Sequence, residues 1–122
     1  METSKITSYK ELVVWQKSMV LVKEIYSLSE SFPEYERFGL TSQIRKSSIS
    51  IPSNIAEGCG RLSRKNYIQF LRISRGSLFE LETQILIAIE LNYINDNKIS
   101  QNLITEISKM LNSLIKKLEE KE

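Results

Sequence analysis

Few side chains in this sequence can do covalent or metal chemistry. The chain has no histidine and a single cysteine, Cys59. That excludes zinc sites built on His and Cys, Ser-His and Cys-His nucleophiles, and any disulfide within the chain. Cys59 reads as a free thiol acting as a small packing residue. A redox role needs a depressed thiol pKa, which sequence does not disclose.

Catalysis would have to draw on Glu, Asp, Lys, Tyr, Ser or Arg. Ser47, Ser48, Ser50 and Ser53 stand near Lys46 and superficially suggest a Ser-Lys dyad. A serine-rich kinked helix explains the same residues, and no oxyanion loop accompanies them. Glu80 and Glu82 are two positions apart, so on a helix they point in different directions. The turn Glu57-Gly58-Cys59-Gly60-Arg61 matches neither GxGxxG nor GxxxxGK[ST]. A metal-independent nuclease using Lys, Arg and Glu stays open as a minor alternative. The residues predict no enzyme, no cofactor and no metal site.

What remains is charge. The net charge is +2, but it is unevenly spread. All six arginines lie between Arg37 and Arg75, and residues 37–75 hold eight basic side chains against one acid, Glu57. Arg61, Arg64 and Lys65 fall within five residues. Guanidinium forks match phosphate oxygens, and several such contacts give salt-dependent, sequence-independent affinity for nucleic acid. The candidate contact residues are Arg61, Arg64 and Lys65, with Arg45, Lys46, Arg72 and Arg75 secondary. Internal pairing is the competing reading. Glu57 stands four before Arg61, a favourable helical spacing. A turn near residue 61 would set Arg45 level with Glu80 and Glu57 level with Lys65. Few exposed aromatics interleave with these cations, which favours shape and backbone recognition over base stacking.

The elements that position this cluster are helical. Ser8-Tyr9-Lys10-Glu11 resembles a capping box opening a helix over about 9–30, with Leu12, Trp15, Met19, Val22 and Tyr26 as its apolar stripe. A second helix spans about 34–58 on Leu40, Ile44, Ile51 and Ile55, kinked at Pro52 and ended by Gly58 and Gly60. The kink should free a carbonyl near Ser48, which the nearby serines can satisfy. Ser63 caps a third helix over about 64–91, striped by Tyr67, Phe70, Leu71, Ser74, Leu78, Leu81, Ile85 and Ala88. Gly76 in its middle costs about 1 kcal/mol against Ala, so close approach by another helix is expected there. A fourth helix, about 97–119, carries Leu103, Ile107, Met110, Leu114 and Leu118. No strand, repeat or low-complexity linker is evident.

Four long helices with short loops predict an all-α antiparallel up-down-up-down four-helix bundle. The 122 residues suit one domain, 1–122, with short disordered ends at about 1–7 and 120–122. Val13, Val14 and Val20 lie off the first stripe, and Ile68, Ile73, Phe79, Leu86 and Ile87 off the third. That second apolar face predicts homo-oligomerisation. The polar start METSKITSYK lacks a signal-peptide core, and the apolar runs are too short to span a bilayer, so a cytoplasmic, non-membrane protein is expected.

Particular runs also carry a resemblance. Trp15-Gln16, Phe32-Pro33-Glu34, Ser50-Ile51-Pro52-Ser53-Asn54-Ile55-Ala56-Glu57-Gly58 and Gly76-Ser77-Leu78-Phe79-Glu80-Leu81-Glu82-Thr83-Gln84 occur in this order. Together, over about residues 9–118, they resemble the 23S rRNA intervening-sequence protein family. The resemblance implies a small bacterial four-helix bundle, commonly a ring-like homopentamer, with no established enzymatic activity. A similar bundle serves diversity-generating retroelements, where it binds a reverse transcriptase and nucleic acid. Pro52, Asn54, Glu57, Gly76 and Glu80 match motif positions and imply roles in fold and assembly; Asn54 and Glu57 could instead line a subunit contact. The overall reading is a non-enzymatic oligomer binding structured RNA, or another nucleic acid. The alternative is a homo-oligomeric scaffold that docks a partner enzyme.

Overall fold

In the computed structural model, residues 8–121 are described. Four helices carry the chain: α1 (Val13–Ser29), α2 (Leu40–Cys59), α3 (Arg64–Glu90) and α4 (Lys98–Glu119). Short 3₁₀ turns at Tyr9–Glu11 and Glu34–Glu36 precede α1 and α2. Each helix packs on two others, α1 and α3 both touching α2 and α4, while α1 and α3 stay apart. The result is an all-α four-helix bundle with no strand among the described residues.

Contacts fix the direction of two neighbours. Ser50 meets Ser77, and nearer the turn Gly58 meets Phe70 and Tyr67. Arg72 pairs with Glu119 and Arg75 with Asn112. In each pair one number falls as the other rises, so α3 runs against both α2 and α4.

The ends differ from expectation in instructive ways. Ser8 does accept from the Lys10 N–H at 3.1 Å, but it caps a 3₁₀ turn, and α1 begins at Val13 without a side-chain cap. The helix expected over 34–58 is divided. Glu34–Glu36 forms a 3₁₀ turn, and α2 starts beyond Gly39. Here the Glu36 carboxylate folds back to accept the Leu40 N–H at 2.9 Å. A Cβ on Gly39 would stand 2.7 Å from that carboxylate oxygen, so glycine makes room for the cap. Tyr93, from the α3–α4 turn, donates to the other Glu36 oxygen at 2.8 Å. Both bonds hold the Glu36 carboxyl below its ordinary range, the Leu40 N–H most. Ser63 caps α3 as its sequence suggests, and Asn97, expected to open the fourth helix, caps α4 instead. At the C-terminus Glu120 closes α4 in a helical turn, whereas residues 1–7 and 122 lie outside the described residues.

The core face of α1 is a correction. Val14, Ser18, Leu21, Ile25 and Leu28 are buried, while Met19 and Tyr26 are exposed and Trp15 and Val22 half-buried. Ser18 breaks the apolar pattern of this stripe, yet its hydroxyl donates to the Val14 carbonyl at 2.7 Å and so enters the core satisfied. Ile68, expected off the core, is buried, and α4 centres on Ile104, Ile107, Leu111 and Ile115.

Pro52 is buried inside α2, which continues past it to Cys59. Ser48 donates to the Arg45 carbonyl, Asn54 to that of Ser50, and Ser74 of α3 to that of Ile51. The expected close approach at Gly76 is absent, since a Cβ there meets nothing within 4 Å. It occurs at Gly58 instead, where a Cβ would stand 2.7 Å from that of Phe70. Gly58 is thus an internal helix position that lets α3 close in, and Gly60 alone caps α2.

Candidate nucleic-acid interface

The basic cluster is built around the turn between α2 and α3. Gly60 caps α2, two residues cross the gap, and Ser63 accepts the Asn66 N–H at 3.2 Å to start α3. Leu62 at the tip is fully exposed. Arg64 and Lys65 therefore occupy the first turn of α3, which contains no acid.

The seven sequence candidates separate into distinct environments. Arg61 is paired with Glu57 at 2.8 Å, and its guanidinium lies 4.7 Å from the centre of the Phe70 ring. Arg72 pairs with Glu119, and Arg75 donates to Asn112 at 2.8 Å. Arg45 turns toward α1 instead of Glu80, donating to Ser29 at 2.8 Å and lying over the Tyr26 ring. Lys46 stands apart, on a polar hollow further along α2 and α3. Arg64 and Lys65 are exposed and make no ion pair among the described residues. Glu80 and Glu82 do not neutralise any of the seven.

Arg64, Lys65 and Arg72 line one open groove of about 740 Å³ with Asn66, Ile68, Gln69 and Glu119. It lies where the start of α3 passes the end of α4. Asn66 and Gln69 add neutral donors beside the cations. The sequence reading missed Gln69, whose signal was its place four residues after Lys65 on one helical face, and Glu119, which left no local signal because α4 brings it across. Arg61 and Arg64, three residues apart in sequence, thus differ in state: one is neutralised and stacked, the other free.

The placement of Arg64 and Lys65 works against helix stability. A helix N-terminus carries about half a positive charge, and cations there cost roughly 0.3–1 kcal/mol each. Exposed N–H groups and two unpaired cations then add their fields at one end of α3, favouring an incoming anion.

Little else at this end has the character of a reaction centre. Cys59 is a half-buried free thiol. Burial pushes the neighbouring Tyr67 phenol up, and Cys59 adds to the shift. Among the described residues no group of three His, Cys, Asp or Glu could hold a metal ion. No helix of the described residues is long and apolar enough to cross a membrane.

Fold and surface together define an all-α bundle with a basic interhelical turn. The family model for the 23S rRNA-intervening sequence protein matches residues 10–113, and the chain belongs to that family. A crystal structure of a protein of unknown function from the S23 ribosomal protein family of Bacteroides thetaiotaomicron is similar, with 33% identity and a TM-score of 0.78. The match covers 85% of this chain and 99% of that one. No curated protein matches.

Proposed function

We propose that this protein is a non-enzymatic, cytoplasmic, single-domain bundle that binds the phosphate backbone of structured RNA through the start of α3. The observation that carries this reading is the unpaired state of Arg64 and Lys65 in a helix's first turn, beside an open groove with further donors. Arg61, Arg72, Arg75, Arg45 and Lys46 take a secondary part, since all but Lys46 already have partners that a phosphate would have to displace. The names of the family and of the similar crystal structure's family, which refer to ribosomal RNA and to a ribosomal protein, support RNA over other nucleic acids.

The bundle acts as a homo-oligomer, as a pentamer in this reading. Val13 and Val20 on α1 and Ile73, Phe79, Leu86 and Ile87 on α3 are all exposed. Because α1 and α3 are not neighbours in the bundle, these form two patches on different sides. Two unlike patches are what a closed ring requires, one meeting the other on the next subunit. Repetition of the basic turn around such a ring would multiply its field. The same patches support the second reading, a scaffold that docks a partner enzyme.

The test is fluorescence anisotropy of a labelled rRNA hairpin at about 50 and 200 mM salt. A protein making several phosphate contacts loses orders of magnitude in affinity across that range. The expected result is a steep loss, with binding largely abolished by Arg64→Glu with Lys65→Glu. Absence of binding at low salt removes this reading and leaves the scaffold. Phe79→Glu, followed by sedimentation, tests the apolar contact separately.

A further inference from the structure

The groove at the start of α3 holds one acid among its cations. Arg64, Lys65 and Arg72 line it, and Glu119 is the only carboxylate that lines it with them. Arg72 and Glu119 are joined by an ion pair and a hydrogen bond. A carboxylate offers its oxygens to a guanidinium much as a phosphate does. Glu119 thus sits on Arg72 where a backbone phosphate of a ligand would sit.

Glu119 is poorly anchored in that place. It is the last residue of α4, at the negative end of the helix dipole, where Lys116 and Lys117 are suited and an acid is not. Leu118 is the last apolar side chain of α4 that packs against the core. Beyond it Glu119, Glu120 and Lys121 are exposed. Lifting this turn away therefore uncovers no core surface. Both members of the ion pair are close to half exposed, and pairs this open to water are weak. Arg61 makes the contrast. Its partner Glu57 stands one turn away along the chain, and the Phe70 ring backs its guanidinium. Freeing Arg61 disturbs the packing of α2 on α3, whereas freeing Arg72 disturbs only a chain end.

We propose that the last turn of α4 is an autoinhibitory strap on the phosphate-binding groove. Glu119 holds Arg72 in the free protein and gives it up when a chain of phosphates engages Arg64 and Lys65. The inference rests on the phosphate-binding reading above and adds its regulation. Arg72 lies two turns beyond Lys65, about 10 Å along α3 at 1.5 Å per residue. A ligand must span that length to offset the displaced carboxylate. The strap therefore favours extended phosphate chains over single phosphate ions.

The experiment compares wild type with Glu119→Gln. The labelled rRNA hairpin is titrated by anisotropy at about 50 mM salt, and inorganic tripolyphosphate by calorimetry. Glu119→Gln should tighten both by about two- to fivefold, the strength of one exposed ion pair expressed as a ratio. Glu120→Gln removes the same charge one residue on, outside the groove lining, and should leave both affinities nearly unchanged. Arg72→Gln should weaken binding and cancel the gain from Glu119→Gln, a coupling that requires the two residues to touch. None of these side chains is in the core, and a melting curve on each preparation checks the fold. An equal gain from Glu120→Gln overturns the proposal, as does a gain from Glu119→Gln that persists beside Arg72→Gln, because general repulsion then accounts for it. Absence of any gain with both ligands also overturns it. If the hairpin binds no variant while tripolyphosphate still gains from Glu119→Gln, the strap stands and the RNA reading falls.

Discussion

The two ends of the bundle treat charge in opposite ways. At the end where α1 meets α2, the carboxylate of Glu36 accepts the Leu40 N–H and the Tyr93 hydroxyl, and Glu34 pairs with Arg37. An acid sits at the N-terminal end of α2, where the helix dipole favours it. At the other end, α3 begins with Arg64 and Lys65, where the dipole disfavours cations, and neither has an ion-pair partner. Partnered charge at a favourable position explains itself by stability. Unpartnered charge at an unfavourable position does not, and that asymmetry directs attention to α3. Arg61 sharpens the point, because its pairing with Glu57 and Phe70 makes it part of the fold.

The most direct way to break this comparison is to invert the basic end. Arg64→Glu with Lys65→Glu should lower RNA affinity about a hundredfold at low salt and reduce the salt slope by about two. The same change should leave thermal stability unchanged or slightly raised, since acids suit a first turn. Anisotropy and a melting curve on one preparation check both halves. A fall in stability would mean that the two cations serve the fold.

The next effect concerns the packing that places the turn. Gly58→Ala puts a methyl 2.7 Å from the Phe70 Cβ. Overpacking of this kind costs roughly 1–3 kcal/mol, readable as a lower midpoint in denaturant unfolding. Gly76→Ala is its counterpart on the open side of α3. With nothing within 4 Å, it should stabilise the isolated chain by about 0.5–1 kcal/mol. If it also weakens assembly at constant fold stability, the open flank at Gly76 is where another subunit approaches.

The smallest effect is expected at the acidic end and depends on pH. The Glu36 carboxyl is held below its ordinary value. Its contribution is therefore present above the unfolded value of 4.5 and is lost as pH falls through the lower folded value. Tyr93 behaves in the opposite sense. Its hydroxyl, bonded to Tyr35 and Glu36, is held above 10, so that contribution is present below 10 and lost as pH rises further. Glu36→Gln should flatten the acid limb of a stability-versus-pH curve and leave RNA binding untouched. A loss of RNA affinity in this variant would erase the distinction between the ends.

Much of the architecture was legible because helices write themselves locally. Ser63 caps α3 where a short polar residue precedes apolar periodicity, and Ile44, Ile51 and Ile55 mark the buried face of α2. Reading α1 failed for a specific reason. Two apolar stripes run side by side along it, and the one through Trp15 and Met19 is longer on paper. The structure buries the other, because Ser18 meets its own hydrogen-bond need within the helix and takes little room. Gly76 and Gly58 were misread similarly. A glycine's purpose depends on what a neighbouring helix places beside it.

By itself, the sequence determined that this protein has no histidine chemistry, that it is four helices, and that its arginines gather around one turn. These follow from composition and from periodicity along one chain. Which of two apolar stripes is buried, which glycine permits contact, and which cations remain unpaired were decided by tertiary structure alone. Burial and pairing are relations between elements, and Glu119 reaches Arg72 across 47 residues of sequence. The free state of Arg64 and Lys65 is such a relation, set by what α2 and α4 bring near them and what they do not.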